Sequence, residues 1–540
     1  MCARSPLLMG AVALVAIMGG AFVAVSFAFV HSTAGESFID RFACVPTQPQ
    51  VEPGYPLYTR VAHLLTFVYL IFLVRSGVQI LADHPRLYGN VHSTPGSEWL
   101  RLRRDVPREP SYTSKQDSVS VPHWLGLPGG RHTLGVARHW HFLFDILFVA
   151  TGLAFVAAQF LDGTWTRLVP TTWELAPRAI TCATTYGTFD DPATGGVDGY
   201  VHFNALQQLT YFGVIFVLAP LQVLTGIAMS PALANRFPRF PRLFRNRQGA
   251  RSMHFILMVG FVGFWAGHVV LVLSTGALAN LNGIALGRRG EGVAGLAVAL
   301  VAVAAAFALT QAAVAFTWWR PRWLQRATAL TVSPVMRFAF SGEPRARYRE
   351  SDRSPYFWRN GEAPHSEEFQ ALEEGGFEAY RLKIYGLVER PAELSLAEIR
   401  ALAPRQQQVT LHNCIQGWSG IAAWAGLPMK ALMEHVRPLP GARYGMFCSF
   451  GPGAGGRQYY DSHSIEDLDA PLSLLAYEHD DAPLTVAHGA PLRLRVENQL
   501  GFKMVKWICA IEFVADYRER GGGQGGVDED AEFFGYEARI

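Results

Sequence analysis

Six long apolar runs limit what this chain can fold into. They are residues 8–30, 57–82, 139–161, 203–229, 251–275 and 293–319. Each has about 20 residues or more, the length of an α-helix that crosses a bilayer. We therefore predict an all-α bundle of about six transmembrane helices in the N-terminal part of the chain. The first run could be a signal peptide, but it lacks a clean small-residue cleavage site, so we interpret it as a retained helix.

Composition and cysteine spacing exclude several classes of protein. Half of the 540 residues are hydrophobic and 17% are charged, which suits a chain that is partly in a membrane and partly in water. The net charge of +3 does not favour a nucleic-acid partner. The six cysteines are scattered and contain no C-x-x-C pair, so the sequence predicts neither a disulfide framework, a zinc ribbon nor an iron–sulfur cluster.

Arginine placement predicts the orientation in the membrane. The loops 83–138 and 230–251 and the exit of the last apolar run are rich in arginine, whereas loops 31–56 and 162–202 hold few basic residues. Positively charged loops remain on the cytoplasmic side. We therefore expect a multi-pass protein of a bacterial inner membrane, with the C-terminal portion in the cytoplasm.

Five histidines lie within the apolar runs, where ionisable groups are costly and usually functional. They are His63, His139, His141, His254 and His268. The last two are fourteen residues apart, which places them on nearly the same face of a helix and about 21 Å apart along its axis. Two ligands at opposite depths suit two stacked haems.

An antiparallel bundle pairs these histidines by depth. His254 and His141 belong to the cytoplasmic side, and His268 and His63 to the outer side. Neutral imidazoles as axial ligands give six-coordinate iron that transfers electrons, so we predict two b-type haems. Interhelical hydrogen bonding is the alternative role for these histidines. His139 competes with His141 as a ligand, and we prefer His141 because His139 is placed to be interfacial.

This block resembles the membrane cytochrome b subunits of nickel–iron hydrogenases and respiratory formate dehydrogenases over roughly residues 57–275. The resemblance is carried by His63 with Ser76-Gly77, Arg138 with His141, Asn204 and Gln207 with Thr225-Gly226, and His254 with His268. The first and last apolar runs are additional to the usual four helices of that family, and their role is open.

Beyond about residue 335 the sequence changes to short segments separated by Pro/Gly turns. "RLKIYGLV", "GARYGMFCSF", "PLRLRVE" and "VKWICAIEFV" are typical of strands, and "SLAEIRAL" and "PMKALMEHV" of short helices. We predict four parts: an N-terminal helix with an external loop (1–56), a di-haem domain (57–330), an α+β domain (331–518) and a flexible tail (519–540).

A lone cysteine, Cys414, lies in "LHNCIQGWSG". A buried structural thiol is the commoner role for such a residue. However, the block resembles the molybdenum-binding motif of the sulfite oxidase superfamily, in its methionine sulfoxide reductase form, Cys-x-x-Gly-Trp-Ser followed by Trp-x-Gly. The resemblance implies that the Cys414 thiolate is the catalytic ligand of a molybdenum that a molybdopterin dithiolene also holds.

The segment "AHGAPLRLRVENQLGFKMVKWI" resembles the pterin-phosphate segment of that superfamily. The resemblance implies cofactor-binding positions that include two cations suited to a dianionic phosphate. For Arg493 and Lys506, a role as surface charges on strands is the alternative. The implied positions in this segment are His488, Arg493, Met504, Val505 and Lys506. The same family resemblance implies Ser449, where the family has a threonine contact, and Trp358 and Arg359 of "SPYFWRNG", where its first pterin loop should fall.

Together the two resemblances imply a membrane-bound molybdopterin oxidoreductase that exchanges electrons with quinone. The arginine-bearing Cys-x-Gly-Asn-Arg motif of sulfite-oxidising members is absent after Cys414, which favours reduction of an S-oxide or N-oxide. Two alternatives stay open: a sulfite- or thiosulfate-type dehydrogenase that donates to quinone, and a non-catalytic cytochrome b anchor subunit. The substrate itself is not identified.

Overall fold

The computed structural model describes residues 6–44, 54–107, 109, 111–190, 203–288, 290, 292–339 and 348–536. Its internal contacts divide the chain into two compact units. Unit 1 consists of Met1–Tyr69, Ile146–Val223 and Leu257–Ala308. Unit 2 consists of Leu70–Asp145, Leu224–Ile256 and Leu309–Ile540. This division passes through α-helical segments of the N-terminal part of the chain.

The N-terminal part of the chain is helical, as predicted. Its helices are α1 (Pro6–Val30), α2 (Thr33–Arg41), α3 (Leu57–Asp83), α4 (Leu134–Leu161), α5 (Leu175–Gly187), α6 (Ala205–Phe212), α7 (Ala219–Ala228), α8 (Pro231–Arg236), α9 (Arg247–Ser274), α10 (Ala277–Leu286), α11 (Ala294–Trp319) and α12 (Pro321–Ala339). A π-helical stretch, Gly213–Leu218, joins α6 to α7.

Five spans of the described chain are long and apolar enough to cross a membrane: α3, α4, α6–α7, α9 and α11. The count rises to six if α1 and α2, which are bent by 84° where they meet, form one broken span. The fold class predicted for this part of the chain, an apolar helical bundle of about six helices, is confirmed.

Unit 1 contains a disulfide between Cys44 and Cys182. Both cysteines are buried, in a small cluster with Leu175, Ala179 and Ala205. The sequence did not reveal this pair because the two residues are 138 positions apart and lie in no recognisable spacing. Both belong to the loops that hold few basic residues.

In unit 2, the segment 84–133 between α3 and α4 is organised around a buried arginine. It contains the antiparallel strands β1 (Arg86–Tyr88) and β2 (Glu98–Arg101). The Arg86 guanidinium donates to Asp117 at 2.9 Å and to Glu98 at 2.6 Å, and its side chain is fully buried. A buried arginine needs such partners, since removing them would leave an uncompensated charge. We call residues 84–133 the collar.

The C-terminal part of unit 2 is an α+β domain with two five-stranded sheets. Its strands are β3 (Leu382–Gly386), β4 (Ala392–Leu394), β5 (Gln406–Asn413), β6 (Ser419–Pro428), β7 (Tyr444–Pro452), β8 (Gln458–Ser464), β9 (Leu474–His479), β10 (Ala482–Pro483), β11 (Arg493–Arg495) and β12 (Ile508–Val514). Its helices are α13 (Glu367–Glu374), α14 (Leu396–Ala401), α15 (Met429–Val436), α16 (Ile465–Leu468) and α17 (Val527–Ala531).

One sheet has the order β10-β9-β6-β5 with β11 paired to β9, and the other has the order β4-β3-β12-β7-β8. All pairs are antiparallel except β3 with β12. Apolar residues of both sheets and of α14 and α15 share one buried core. All four segments predicted as strands contain strands, and the predicted Ser-x-x-Glu helix start is a capping box between Ser395 and Glu398.

Side-chain contacts connect part of the segment predicted as a flexible tail (519–540) to the rest of the domain, and residues 537–540 lie outside the described chain. The buried ammonium of Lys503 binds this segment: Nζ lies 2.6 Å from Glu529 and 2.5 Å from Asp461. The glycine-rich composition predicted flexibility. However, Gly521 and Gly525 have φ of +55° and +106°, so here they permit the turns that bring Glu529 to Lys503. We call residues 521–536 the strap.

Candidate functional site

Cys414 lies in the loop of a β-hairpin, between the end of β5 and the start of β6. Its backbone N–H donates to the carbonyl of Trp418, and its carbonyl accepts from Gly417, both at 3.1 Å. Gly417 has φ +107°, a conformation that side chains disfavour. The thiol is 2% exposed, and burial raises the pKa of Cys414 to about 12. Local turn geometry therefore fixes the position of a buried sulfur.

The first turn of α9 holds this cysteine loop. Gln248 Nε2 donates to the carbonyl of Gly417 at 2.8 Å and to Ser419 Oγ at 3.0 Å. Arg247 donates to Asn413 Oδ1 at 3.3 Å. The same helix carries His254 seven residues after Arg247, about 10 Å along the axis. One rigid helix therefore connects the cysteine loop to a candidate haem ligand within unit 2.

The collar holds the other side of the loop. Ser114 Oγ donates to Gln416 Oε1 at 2.7 Å, and Ser419 Oγ donates to the carbonyl of Val91 at 2.7 Å. Ser93 accepts from the Ser419 N–H at 3.1 Å. A change in the collar would therefore move the cysteine loop.

A cavity of about 280 Å³ opens beside Cys414. The structure brings every residue predicted for the molybdenum and pterin site to its wall. They are Trp358, Arg359, Cys414, Ser449, His488, Arg493, Met504, Val505 and Lys506. Sequence positions more than 140 residues apart thus converge on one cavity.

One part of the cavity wall is cationic. Arg493 is 6% exposed and Lys506 is partly buried, and neither forms an ion pair with a carboxylate of the described residues. Burial, together with Arg493 and Arg359, lowers the pKa of Lys506 well below its usual value, and burial lowers that of Arg493 to about 9. Such a cluster of cations requires an anion to be stable in its charged form.

Two buried nitrogens in this cluster have no hydrogen-bond partner among the described residues. They are Nε of Arg493 and Nε2 of His488. Two other donors of the cluster bind backbone carbonyls: Arg493 Nη1 donates to the His488 carbonyl at 3.1 Å, and Lys506 Nζ donates to the Ala487 carbonyl at 3.2 Å. Unused donors beside fixed cations are what a phosphate needs, so these residues fit the phosphate end of a molybdopterin.

Four other predicted residues line the cavity without adding charge. Trp358 is 2% exposed and donates through Nε1 to the Ser93 carbonyl at 2.7 Å. The Ser449 hydroxyl donates to the Lys506 carbonyl at 2.6 Å and accepts from the Gly451 N–H at 2.9 Å. Met504 and Val505 are buried at 3% and 1% exposure. Ser449 therefore positions the backbone that carries Lys506.

Sequence reasoning missed a second, acidic part of the wall. Asp528, Glu532 and Phe534 of the strap line the cavity, together with Lys115 of the collar and Asp83 at the end of α3. These residues lie outside every motif of the chain. A local signal for them existed only in the run of acids in "GGVDEDAEFF", which is equally typical of a solvated tail.

In unit 2, His141 faces His254 with ring centroids 6.3 Å apart. An iron with bonds of about 2 Å to one nitrogen of each ring would place the centroids roughly 6 Å apart. The Ser76 hydroxyl donates to the Phe72 carbonyl at 2.7 Å and lies 2.8 Å from His141 Nδ1. With the Ser76 hydroxyl donating to the helix backbone, Nδ1–H of His141 donates to Ser76, and Nε2, which lies 3.9 Å from Asp145 Oδ2, is the nitrogen that would bind a metal.

The predicted Ser-Gly and Thr-Gly pairs have matching positions. Thr225 Oγ1 is 3.1 Å from His254 Nδ1. A Cβ at Gly77 would lie 3.4 Å from His141 Cε1, and a Cβ at Gly226 would lie 3.4 Å from His254 Cε1. The hydroxyl of each pair contacts Nδ1 of its imidazole and the glycine lies against the ring edge, and a hydroxyl partner on Nδ1 is expected for a metal-binding histidine.

His139 has different partners. Its Nδ1 is 2.6 Å from Thr328 Oγ1 and its Nε2 is 3.0 Å from the Phe533 carbonyl. Both ring nitrogens are therefore used in hydrogen bonds, which supports His141 as the ligand. In unit 1, His63 and His268 have ring centroids 6.3 Å apart, the same separation as in the other pair.

The paired histidines of the helical bundle and the cavity beside Cys414 are the features expected of a cytochrome b joined to a cofactor-dependent redox domain. Residues 54–284 match the family model of prokaryotic cytochrome b561, and residues 370–520 match that of the oxidoreductase molybdopterin binding domain. The chain thus combines a membrane cytochrome b561-type region with a molybdopterin-binding oxidoreductase domain, as the sequence resemblance predicted. These families imply b haem and molybdopterin as cofactors.

Curated relatives match part of the chain. The protein-methionine-sulfoxide reductase catalytic subunit MsrP of Xanthomonas campestris pv. campestris is 32% identical over 144 residues, 25% of this chain and 45% of the relative. The putative protein-methionine-sulfoxide reductase subunit YedZ1 of Azospira oryzae is 32% identical over 140 residues, 26% of this chain and 50% of the relative. The chain therefore spans about half the length of the curated relatives it matches.

Among solved structures, the chain is similar to the sulfane dehydrogenase SoxCD from Paracoccus pantotrophus. The sequence identity is 21%, the TM-score is 0.23, and the match covers 28% of this chain and 40% of that chain.

Replacing Gly417 tests how tightly the cysteine loop is held. We expect Gly417→Ala to cost about 1–2 kcal/mol of backbone strain because of the positive φ. In addition, the new Cβ would lie 3.2 Å from the Arg251 guanidinium. Molybdenum content, measured by elemental analysis, should fall. The matched control is Gly441→Ala, which meets nothing within 4 Å and should keep its metal. Full molybdenum in Gly417→Ala would contradict this account of the loop.

The histidine assignment is tested by haem content in two variants. We expect His141→Ala to lose about one haem per chain in a pyridine haemochrome assay, because one axial ligand is removed. His139→Ala should retain its haem and lose only the hydrogen bonds to Thr328 and Phe533. The reverse pattern would show that His139 is the ligand.

Proposed function

We propose that this protein is a membrane-bound molybdenum reductase that uses quinol to reduce an S-oxide or N-oxide. His63 with His268 and His141 with His254 would each hold one b haem, and these haems would supply one-electron transfer between quinol and the site at Cys414. The balanced reaction for a sulfoxide is R₂SO + 2H⁺ + 2e⁻ → R₂S + H₂O. Water and the reduced substrate are the products.

One observation carries this proposal: the helix that bears His254 also donates hydrogen bonds to the loop that bears Cys414. Electron transfer between two centres requires that they be held close and fixed, and a continuous helix with packed side chains provides this within unit 2. A redox domain attached to the membrane only as a passenger would not need such contacts at its buried cysteine.

Different residues of the cavity would bind different parts of the cofactor. Cys414 supplies one sulfur ligand, and Arg493, Lys506 and His488 hold the phosphate end. Arg359 and Trp358 close the wall beside them, and Ser449, Met504 and Val505 shape it. When bound, molybdenum supplies oxygen-atom transfer coupled to two-electron redox change, and the protein supplies placement and access.

We place the molybdopterin domain in the cytoplasm. The arginine-rich loops belong to its side of the membrane in the sequence topology. The disulfide supports the same orientation, because Cys44 and Cys182 lie in the alternate loops, and disulfides persist in oxidising compartments outside the cytoplasm. The three free cysteines of the described chain, Cys414, Cys448 and Cys509, all lie in the molybdopterin domain.

Two relatives bear the name of methionine-sulfoxide reductase components, which supports a sulfoxide substrate. The opposite direction, in which sulfite or thiosulfate is oxidised and quinone reduced, is the second candidate function. It is distinguished by assay: S-oxides and N-oxides with a reduced dye donor, against sulfite with an oxidised dye. A molybdenum content near one atom per chain, measured by elemental analysis, would exclude a non-catalytic anchor.

The role of Cys414 is tested by Cys414→Ser. We expect loss of at least about a thousandfold in dye-linked sulfoxide reduction, because the thiolate ligand is replaced by a weaker hydroxyl. The haem spectrum should stay unchanged, since no haem ligand is touched. Cys509→Ser, a free cysteine that does not line the cavity, is the matched control and should retain activity. Loss of haem in Cys414→Ser would show that this cysteine is structural.

A further inference from the structure

The strap is built into the domain at several points. Besides the Lys503–Glu529 ion pair, Arg322 of α12 donates to the Glu529 carbonyl at 2.9 Å and to the Asp530 carbonyl at 2.6 Å. Gln325 donates to the carbonyl of Phe534 at 2.8 Å. The family model for the molybdopterin domain ends at residue 520, so the strap is an element of this chain beyond that match.

The strap completes the wall of the cavity. Phe534 is 4% exposed and packs against Phe502 with ring centroids 4.9 Å apart, in the same apolar cluster as Cys414. Glu532 forms an ion pair with Lys115 at 2.5 Å. Asp528 accepts a hydrogen bond from the Tyr459 hydroxyl at 3.3 Å and has no cationic partner within 4 Å among the described residues.

The charges along the wall are separated into two groups. Arg493, Lys506 and His488 interact with one another, whereas Asp528 interacts with Glu532 and Lys115. The Cys414 thiol interacts electrostatically with Arg493 of the first group and with Asp83, which in turn interacts with Glu532 and Lys115 of the second. If the phosphate of the cofactor occupies the cationic group, the acidic and aromatic group is what remains for the substrate.

We propose that the strap is the substrate-selecting wall of the cavity: Asp528 and Glu532 reject sulfur oxyanions, and Phe534 holds the apolar part of a neutral oxide. This inference rests on the proposed function and specifies its substrate class as uncharged or cationic S-oxides and N-oxides. A carboxylate in a partly buried cavity repels a sulfate-like dianion strongly, while an uncharged sulfoxide feels little of that field. An aromatic ring in contact with the substrate favours its alkyl groups by ordinary apolar burial.

The test measures binding of two unreactive probes to the molybdenum-loaded, oxidised protein by titration calorimetry. Sulfate represents the anion and dimethyl sulfone represents the neutral oxide. The titration is done at pH 8, where Asp528 is ionised, because burial raises its pKa only to about 7. We expect Asp528→Asn to bind sulfate about tenfold more tightly than the wild type and to bind dimethyl sulfone within about twofold of it.

Two further variants separate the roles within the strap. Glu532→Gln should also strengthen sulfate binding, which keeps the test decisive if Asp528→Asn fails to fold. Phe534→Ala should weaken dimethyl sulfone binding by about fivefold and leave sulfate unchanged. Glu519→Gln, an exposed carboxylate just before the strap, is the matched control and should change neither affinity. Haem and molybdenum contents equal to those of the wild type establish folding.

The outcomes are distinct. Unchanged sulfate affinity in both acidic variants, or equal shifts for the two probes, would overturn the selecting role of the strap. By contrast, a wild-type protein that oxidises sulfite and reduces no oxide would overturn the proposed function, whatever the probes show. Amide hydrogen exchange of residues 521–536 adds a readout independent of turnover: dimethyl sulfone should slow it in the wild type and not in Phe534→Ala.

Discussion

The contact between the cysteine loop and the first turn of α9 is the constraint on which the function of this chain depends. Gln248 is fully buried and donates to the loop at two points, and Arg247 donates at a third. Each bond is worth about 1 kcal/mol on its own, but a buried amide that lost its partners would cost more. A shift of the loop, and with it of the Cys414 sulfur, would therefore break hydrogen bonds to the helix that carries His254.

At both kinds of candidate centre, contacts within the protein hold the side chains that would bind the cofactor. At the imidazoles, one hydroxyl contacts Nδ1 of each ring: Ser76 beside His141, and Thr225 beside His254. At the cavity, the cations are held by backbone carbonyls and aromatic rings, and their remaining donors are left unused. In both places ring nitrogens or cationic donors remain that an iron or a phosphate would complete, as expected of a preorganised site.

The sequence predicted the features that a local pattern specifies, and missed those that depend on residues far apart in the chain. Apolar length located the spans, and compact motifs located the residues around Cys414 and Lys506, because each signal is local. The disulfide of Cys44 and the strap residue Glu529 were missed, since their partners lie 138 and 26 positions away and no local pattern specifies them. Glycine and acid content predicted a flexible tail, and the contacts of that segment with Lys503, Arg322 and Gln325 have no local signal in the sequence.

The central claim, that membrane haem and the Cys414 site exchange electrons, is tested most directly by stopped-flow spectroscopy. Purified protein is first reduced by a quinol analogue, so that the α-band of the b haem is fully developed, and is then mixed with a sulfoxide. The account predicts that the α-band bleaches as the sulfoxide is consumed, and that it stays reduced in Cys414→Ser. Haem that remains reduced while the wild-type protein turns over sulfoxide from a dye would contradict it.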